Sequence, residues 1–251
     1  MKSIITSILA YILINMVSAA SVFDPLDSIG KTKSEKASNA KLAVRLHSMG
    51  QFTYGGRIVS ENPVIDFNFN YDRKNWGFQF FKAMDLRDRN TEINFSLAVV
   101  NKNFHLGKRL TITPMAGFIL EQSKSIADHG SDVALIVTTG YKLSSVLTLE
   151  HSTLFANLVL EPEAKDWVNR IRLLYSKKHI DVSMIGWHNN KVFDGAEYVT
   201  FAANAFYSRV KISKTVTVSA GLSALVMPYT SDTSVYPKKN GVIFTLMAVI
   251  D

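Results

Sequence analysis

The stretch VIDFNFNY, Val64 to Tyr71, decides how the chain is read. Apolar side chains stand at Ile65, Phe67, Phe69 and Tyr71, with Asp66, Asn68 and Asn70 between them. A period of two is that of a β-strand with one apolar and one polar face. In a soluble protein the apolar face turns into a core. In a membrane-spanning barrel it turns to lipid, and the polar face lines a lumen. One strand fits both arrangements, so the neighbouring segments must choose.

From Lys41 onward strand follows strand, with no convincing amphipathic helix. The segments are 41–54, 64–72, 75–85, 91–105, 109–122, 132–142, 145–155, 166–176, 179–188, 196–210, 215–227 and 241–250, twelve in all. Their connections alternate in length. DRKN, LGKR, KLSS, SKKH and ISK are tight. YGGRIVSENP, DLRDRNT, QSKSIADHGSD, FANLVLEPEAKD, NNKVFDGAE and PYTSDTSVYPKKNG are long, and hold Pro63, Pro162, Pro228 and Pro237. Alternation of this kind puts all short turns at one end of a meander and all long loops at the other. Aromatic residues gather beside the short turns: Tyr71, Trp76, Tyr141, Tyr175 and Tyr207. On the eighth segment Trp167 and Tyr175 share a face with Ile171 and Leu173 between them, the spacing of two interfacial girdles. The same alternation predicts Ile93, Phe95, Leu97 and Val99 outward, with Glu92, Asn94 and Ser96 inward. It also predicts Val216, Val218, Ala220 and Leu222 outward, with Thr217, Ser219 and Ser223 inward.

The N-terminus, MKSIITSILAYILINMVSAAS, has the pattern of a cleaved secretory signal peptide over residues 1–19. Lys2 opens it, Ile4 to Val17 is apolar, and Val17-Ser18-Ala19 supplies small residues for cleavage. Residues 20–40 are rich in Ser, Lys and Asp and are expected to form a flexible arm, leaving 41–251 as the barrel. No later stretch reaches the roughly 18 apolar residues of a membrane helix, so a membrane role requires a closed barrel. The absence of cysteine excludes disulfides, a thiol nucleophile, Cys-ligated zinc and a lipoprotein anchor. Twenty-eight Lys and Arg against 21 Asp and Glu give a formal net charge of +7. No basic run interleaved with aromatics points to nucleic acid.

These features resemble the outer-membrane β-barrel class of Gram-negative bacteria. The likeness covers nearly the whole mature chain and rests on architecture, not on a family fingerprint. Twelve-stranded members of the class include nucleoside channels, small porins, an autotransporter pore, a phospholipase and a lipid A deacylase. The resemblance implies an antiparallel up-and-down barrel, with short periplasmic turns and longer external loops. It also implies membrane lipid, lipopolysaccharide and the barrel-insertion machinery as partners. Two departures stand out. The class usually ends its last strand on an aromatic residue, whereas FTLMAVID ends on Asp251, with Phe244 the nearest aromatic. Pro114 lies within the fifth segment, where it removes a ladder donor and is expected to mark a bulge.

Function in such a barrel belongs to inward positions. By alternation these include Arg45, Asp66, Asn68, Asn70, Glu92 and Asn94, and across the sequence Glu150, Arg170, Arg172 and Asp181. Arg170 and Arg172 point the same way, and the acids offered by adjacent strands are Glu150 and Asp181. Such a cluster is either a charged constriction selecting small polar solutes or an ion-pair network filling the barrel. The alternatives are an enzyme acting on lipid or lipopolysaccharide and a closed structural or adhesive barrel. For the enzyme the weak candidate is His151, with Thr153 where a serine nucleophile would be expected. No HExxH, phosphate loop or GxSxG occurs, and the six histidines are scattered, so no cofactor or metal is expected.

Overall fold

Strands with two distinct faces must be covered on both, and closing a sheet on itself removes its edges. The chain adopts this solution. The computed structural model describes residues 39–251 apart from 53, 90, 92, 122–132, 157, 159–166 and 193–195. Its strands are β1 (Asn39–His47), β2 (Gly50–Phe52), β3 (Arg57–Ser60), β4 (Val64–Arg73), β5 (Trp76–Asp85), β6 (Phe95–Lys102), β7 (Phe104–Leu106) and β8 (Leu110–Glu121). They continue as β9 (Val133–Lys142), β10 (Leu147–Phe155), β11 (Trp167–Lys177), β12 (Ile180–Val192), β13 (Ala196–Lys211), β14 (Val216–Thr230) and β15 (Gly241–Ile250).

All but β2 and β3 form one antiparallel sheet, in which β1 lies between β4 and β15 and the sheet closes through β6 and β8. Because β6 and β7 are two pieces of one strand, the ring is a closed twelve-stranded barrel. The two pieces are separated at Asn103. The pairs Asn101–Met115 and Phe104–Ile112 share one register, which sets Lys102 and Asn103 against Pro114 and Thr113. No bulge forms at Pro114, whose pairing with Val137 runs through unshifted. The proline has no N–H of its own to donate, and the facing strand breaks opposite it, at Asn103.

The outer face is apolar. Phe69, Phe78, Val137, Leu149, Ile171, Met184, Phe201 and Leu222 are all exposed on it, far more than a water-facing wall would carry. Tyr141 and Tyr207 stand exposed at the turn end. Phe155 and Trp167 stack at the loop end, with ring centroids 5.9 Å apart. Asp66, Asn68 and Asn70 of the opening stretch are buried inside, with Phe69 outside.

Two further expectations require correction. The segment 41–54 is not one strand: β1 stops at His47, and β2 and β3 form a separate hairpin. The faces of β6 are also reversed, since Phe95, Leu97 and Val99 are buried. Register with β5 explains the reversal, because Leu97 pairs with inward Phe81, and Val99 with inward Gln79. Here the inner wall faces protein, so alternation keeps its period while the polarity of its faces inverts.

Candidate pore lining and its hairpin plug

Alternation carries Arg45 of β1 and Asp66 of β4 inward as direct neighbours. Arg45 Nε donates to Asp66 Oδ1 at 2.7 Å. His47 Nε2 lies 2.8 Å from Asp66 Oδ2, and His47 Nδ1 lies 2.8 Å from Thr245 Oγ1 on β15. These strands form one charged wall. A second wall stands on β10 and β11, where Glu150 pairs in register with Arg172, and Ser152 with Arg170. Arg172 Nε donates to Glu150 Oε2 at 2.9 Å, and its Nη2 contacts the same oxygen. Arg170 Nη2 donates to Ser152 Oγ at 3.1 Å, and Ser152 shares a 2.7 Å hydrogen bond with Thr138. Counting β6 and β7 as one strand, five strands separate β1 from β10 in either direction round the ring. The two walls are therefore diametrically opposed.

Between them lies a cavity of about 100 Å³, bordered by Arg45, Asp66, Arg170, Arg172, Asp181 and Asn204. Asp181 does not serve as counter-ion to the paired arginines. It is held by Ser208 Oγ and, at 2.9 Å, by an Arg209 Nη atom. Arg209 sits at φ +57° in a register shift of β13 against β14. A bulge re-aims a side chain in this way, and it creates a pairing that strand alternation cannot foresee.

Above this cavity, toward the loop end, the chain's own hairpin narrows the lumen. The β2–β3 hairpin crosses from β1 and β4 to the inner faces of β12 and β13. The Gly55 carbonyl accepts hydrogen bonds from Asn189 Nδ2 and Thr200 Oγ1, each at 3.1 Å. Both of these residues are buried. Phe52 and Tyr54 meet Phe95 edge-on, with centroids 6.0 and 6.1 Å away. The Arg57 guanidinium lies 4.8 Å from the centre of the Tyr236 ring. Burial pushes the Tyr54 phenol up, with the charge of Arg170 opposing. Close approach explains the glycine pair. A Cβ at Gly55 would lie 2.3 Å from the Tyr198 hydroxyl, and one at Gly56, where φ is +72°, would lie 2.4 Å from the Trp187 ring.

The remaining expected residues fall elsewhere. Asn68 is buried and accepts from Gln79 Nε2 at 2.7 Å, with Asn70 buried nearby. Asn94 does not border the cavity. It ties the β5–β6 connection, accepting from the Asp85 amide at 2.8 Å and donating to the Asp88 carbonyl at 3.0 Å. Glu92 lies outside the described residues, as do residues 1–38. His151 is exposed on the outer face, and Thr153 donates to Asn169 Oδ1 at 3.0 Å. The residues that sequence reasoning missed are those of the hairpin. Its one signal was Tyr54-Gly55-Gly56, an aromatic followed by two residues without side chains.

Two solved porins share this barrel fold. The structure is similar to the KdgM porin, with TM-score 0.56 and 8% identity over 84% of this chain and 98% of that one. The chain has the fold of a small outer-membrane porin. It is also similar to the NanC porin in a rhombohedral crystal form, with TM-score 0.55 and 11% identity over 84% of this chain and 99% of that one. A further structure, the KdgM porin in complex with disordered oligogalacturonate, matches with TM-score 0.55 and 9% identity over 84% of this chain and 98% of that one. No protein-family model matches the chain, and no curated protein matches it.

Proposed function

We propose that the chain is an outer-membrane porin of a Gram-negative envelope, passing small polar solutes through a narrow lumen. The observation that carries this reading is the pair of charged walls: Arg45 and Asp66 on one side, and Arg170 and Arg172 on the other, the latter paired with Glu150, border one cavity from opposite sides of the barrel. The apolar outer face supports a lipid surround, and the signal-peptide pattern of residues 1–19 supports export. On this reading the barrel meets membrane lipid and lipopolysaccharide and is inserted by the barrel machinery. That a porin of the same fold is described in complex with oligogalacturonate supports a polar solute. The hairpin narrows the loop half of the lumen, so the expected unit conductance is small.

Single-channel recording of the detergent-folded protein in a planar bilayer tests the proposal. Discrete small steps are expected, with ion selectivity altered by substituting Arg170 and Arg172. Silence from inserted protein, both with the hairpin and with residues 50–60 replaced by a short linker, would refute it.

A further inference from the structure

We infer that the turn end of the barrel is a basic collar that binds the phosphate groups of anionic phospholipids in the surrounding leaflet. Basic residues occur at all five short turns. Lys74, Lys108, Arg109, Lys142, Lys178 and Lys214 are every one exposed there. The described acids at this end are Asp72, Asp181 and Asp251. Asp181 is buried with Ser208 and Arg209, and Asp251 is bridged to Lys41 at 2.9 Å. Among the described residues the loop end intersperses the acids Glu61, Asp85, Asp88, Glu197 and Asp232 with its arginines and lysines, so the stronger excess of positive charge lies at the turn rim.

The geometry points to lipid, not to a protein partner. The charges follow the turns round the whole circumference, as a leaflet does, whereas a docked protein would meet one side. They stand just beyond the aromatic ring of Trp76, Tyr141 and Tyr207, at the depth of headgroups. Lys102 shows the arrangement directly: its ammonium lies 5.0 Å from the centre of the Trp76 ring and 5.3 Å from that of Phe104. A long side chain held against the interfacial aromatics presents its charge at the membrane surface. Juxtamembrane clusters of Lys and Arg attract anionic lipid additively.

The inference rests on the membrane-spanning part of the proposed function and does not need an open lumen. The test uses full-length protein in vesicles of phosphatidylethanolamine with a minority of phosphatidylglycerol. Polymer-bounded discs are cut from them, and the lipids around the barrel are counted by mass spectrometry. Phosphatidylglycerol is expected at about twice its bulk share or more. It should fall back to the bulk share in the variant K74Q/K108Q/R109Q/K142Q/K178Q/K214Q, whose folding is checked by heat-modifiable migration. Should that variant not fold, a salt titration of the native protein decides, because about 1 M salt shortens the screening length to roughly 3 Å and should abolish the enrichment. A bulk-like shell around inserted native protein, or an enrichment indifferent to salt and to the substitutions, overturns the collar alone. Protein extracted from the vesicles by alkaline carbonate overturns the membrane reading and the collar with it.

Discussion

Replacing Gly56 by alanine should release the hairpin from the barrel wall. The residue sits at φ +72°, where an L side chain costs about 1–2 kcal/mol. Its new Cβ would lie 2.4 Å from Trp187 and 2.6 Å from Thr200 Oγ1. Trp187 is 3% exposed and cannot swing aside, so the hairpin must move instead. Moving it breaks the two hydrogen bonds to the Gly55 carbonyl, each worth about 1 kcal/mol net. The sum, about 3–4 kcal/mol, shifts the docked-to-undocked ratio by a factor of about 10² to 10³, at roughly 1.4 kcal/mol per decade. Two readouts follow. Unit conductance in a planar bilayer should rise, and trypsin added from the loop side should cut after Arg57, which the docked hairpin shelters. Unchanged conductance together with an uncut Arg57 would refute the assignment of the hairpin as a plug held by this glycine pair.

Arg172→Gln leaves the Glu150 carboxylate buried without its guanidinium and should destabilise the folded barrel by about 3 kcal/mol. The pair E150Q/R172Q should recover most of that loss, both being read by urea unfolding in detergent micelles. Gly221→Ala places a Cβ 2.3 Å from the Phe206 ring and 2.6 Å from the Ala205 carbonyl oxygen. The resulting overpacking should cost about 1–3 kcal/mol by the same assay, with any loss under 0.5 kcal/mol contradicting the tight inner wall. His151→Ala removes a side chain from the outer face, so conductance and stability should both hold. A lipid-hydrolysing activity in the native protein that this variant abolished would favour the enzyme instead.

The strands were legible because a barrel wall separates two solvents, and period-two alternation records that separation directly. Arg170, Arg172 and Glu150 could be placed on one face from parity alone, and their pairing follows from antiparallel neighbours. What was illegible depends on a third dimension. Phe95, Leu97 and Val99 read as lipid-facing because parity distinguishes two faces without saying which is inside. Only the register with Phe81 and Gln79, and the hairpin packed against them, settles that. Asp181 was offered to the wrong arginine because a bulge in β13 changes the direction of Arg209. The hairpin itself was merged with β1, since β2 has strand-forming residues and no break before Gly50.

The ring also has a seam. Every barrel contact but one joins strands that follow each other in the ring's chain order, whereas β1 meets β15 across most of the sequence, Leu42 opposite Ile250 and His47 opposite Thr245. Loop-closure entropy is therefore small at eleven of the twelve junctions and concentrated at this one. Assembly becomes a chain of hairpins added side by side, followed by a single long-range zipping of six residue pairs. The same short ladder is where the cylinder would part first under load, so a cross-link between β1 and β15 would lock the wall against lateral opening.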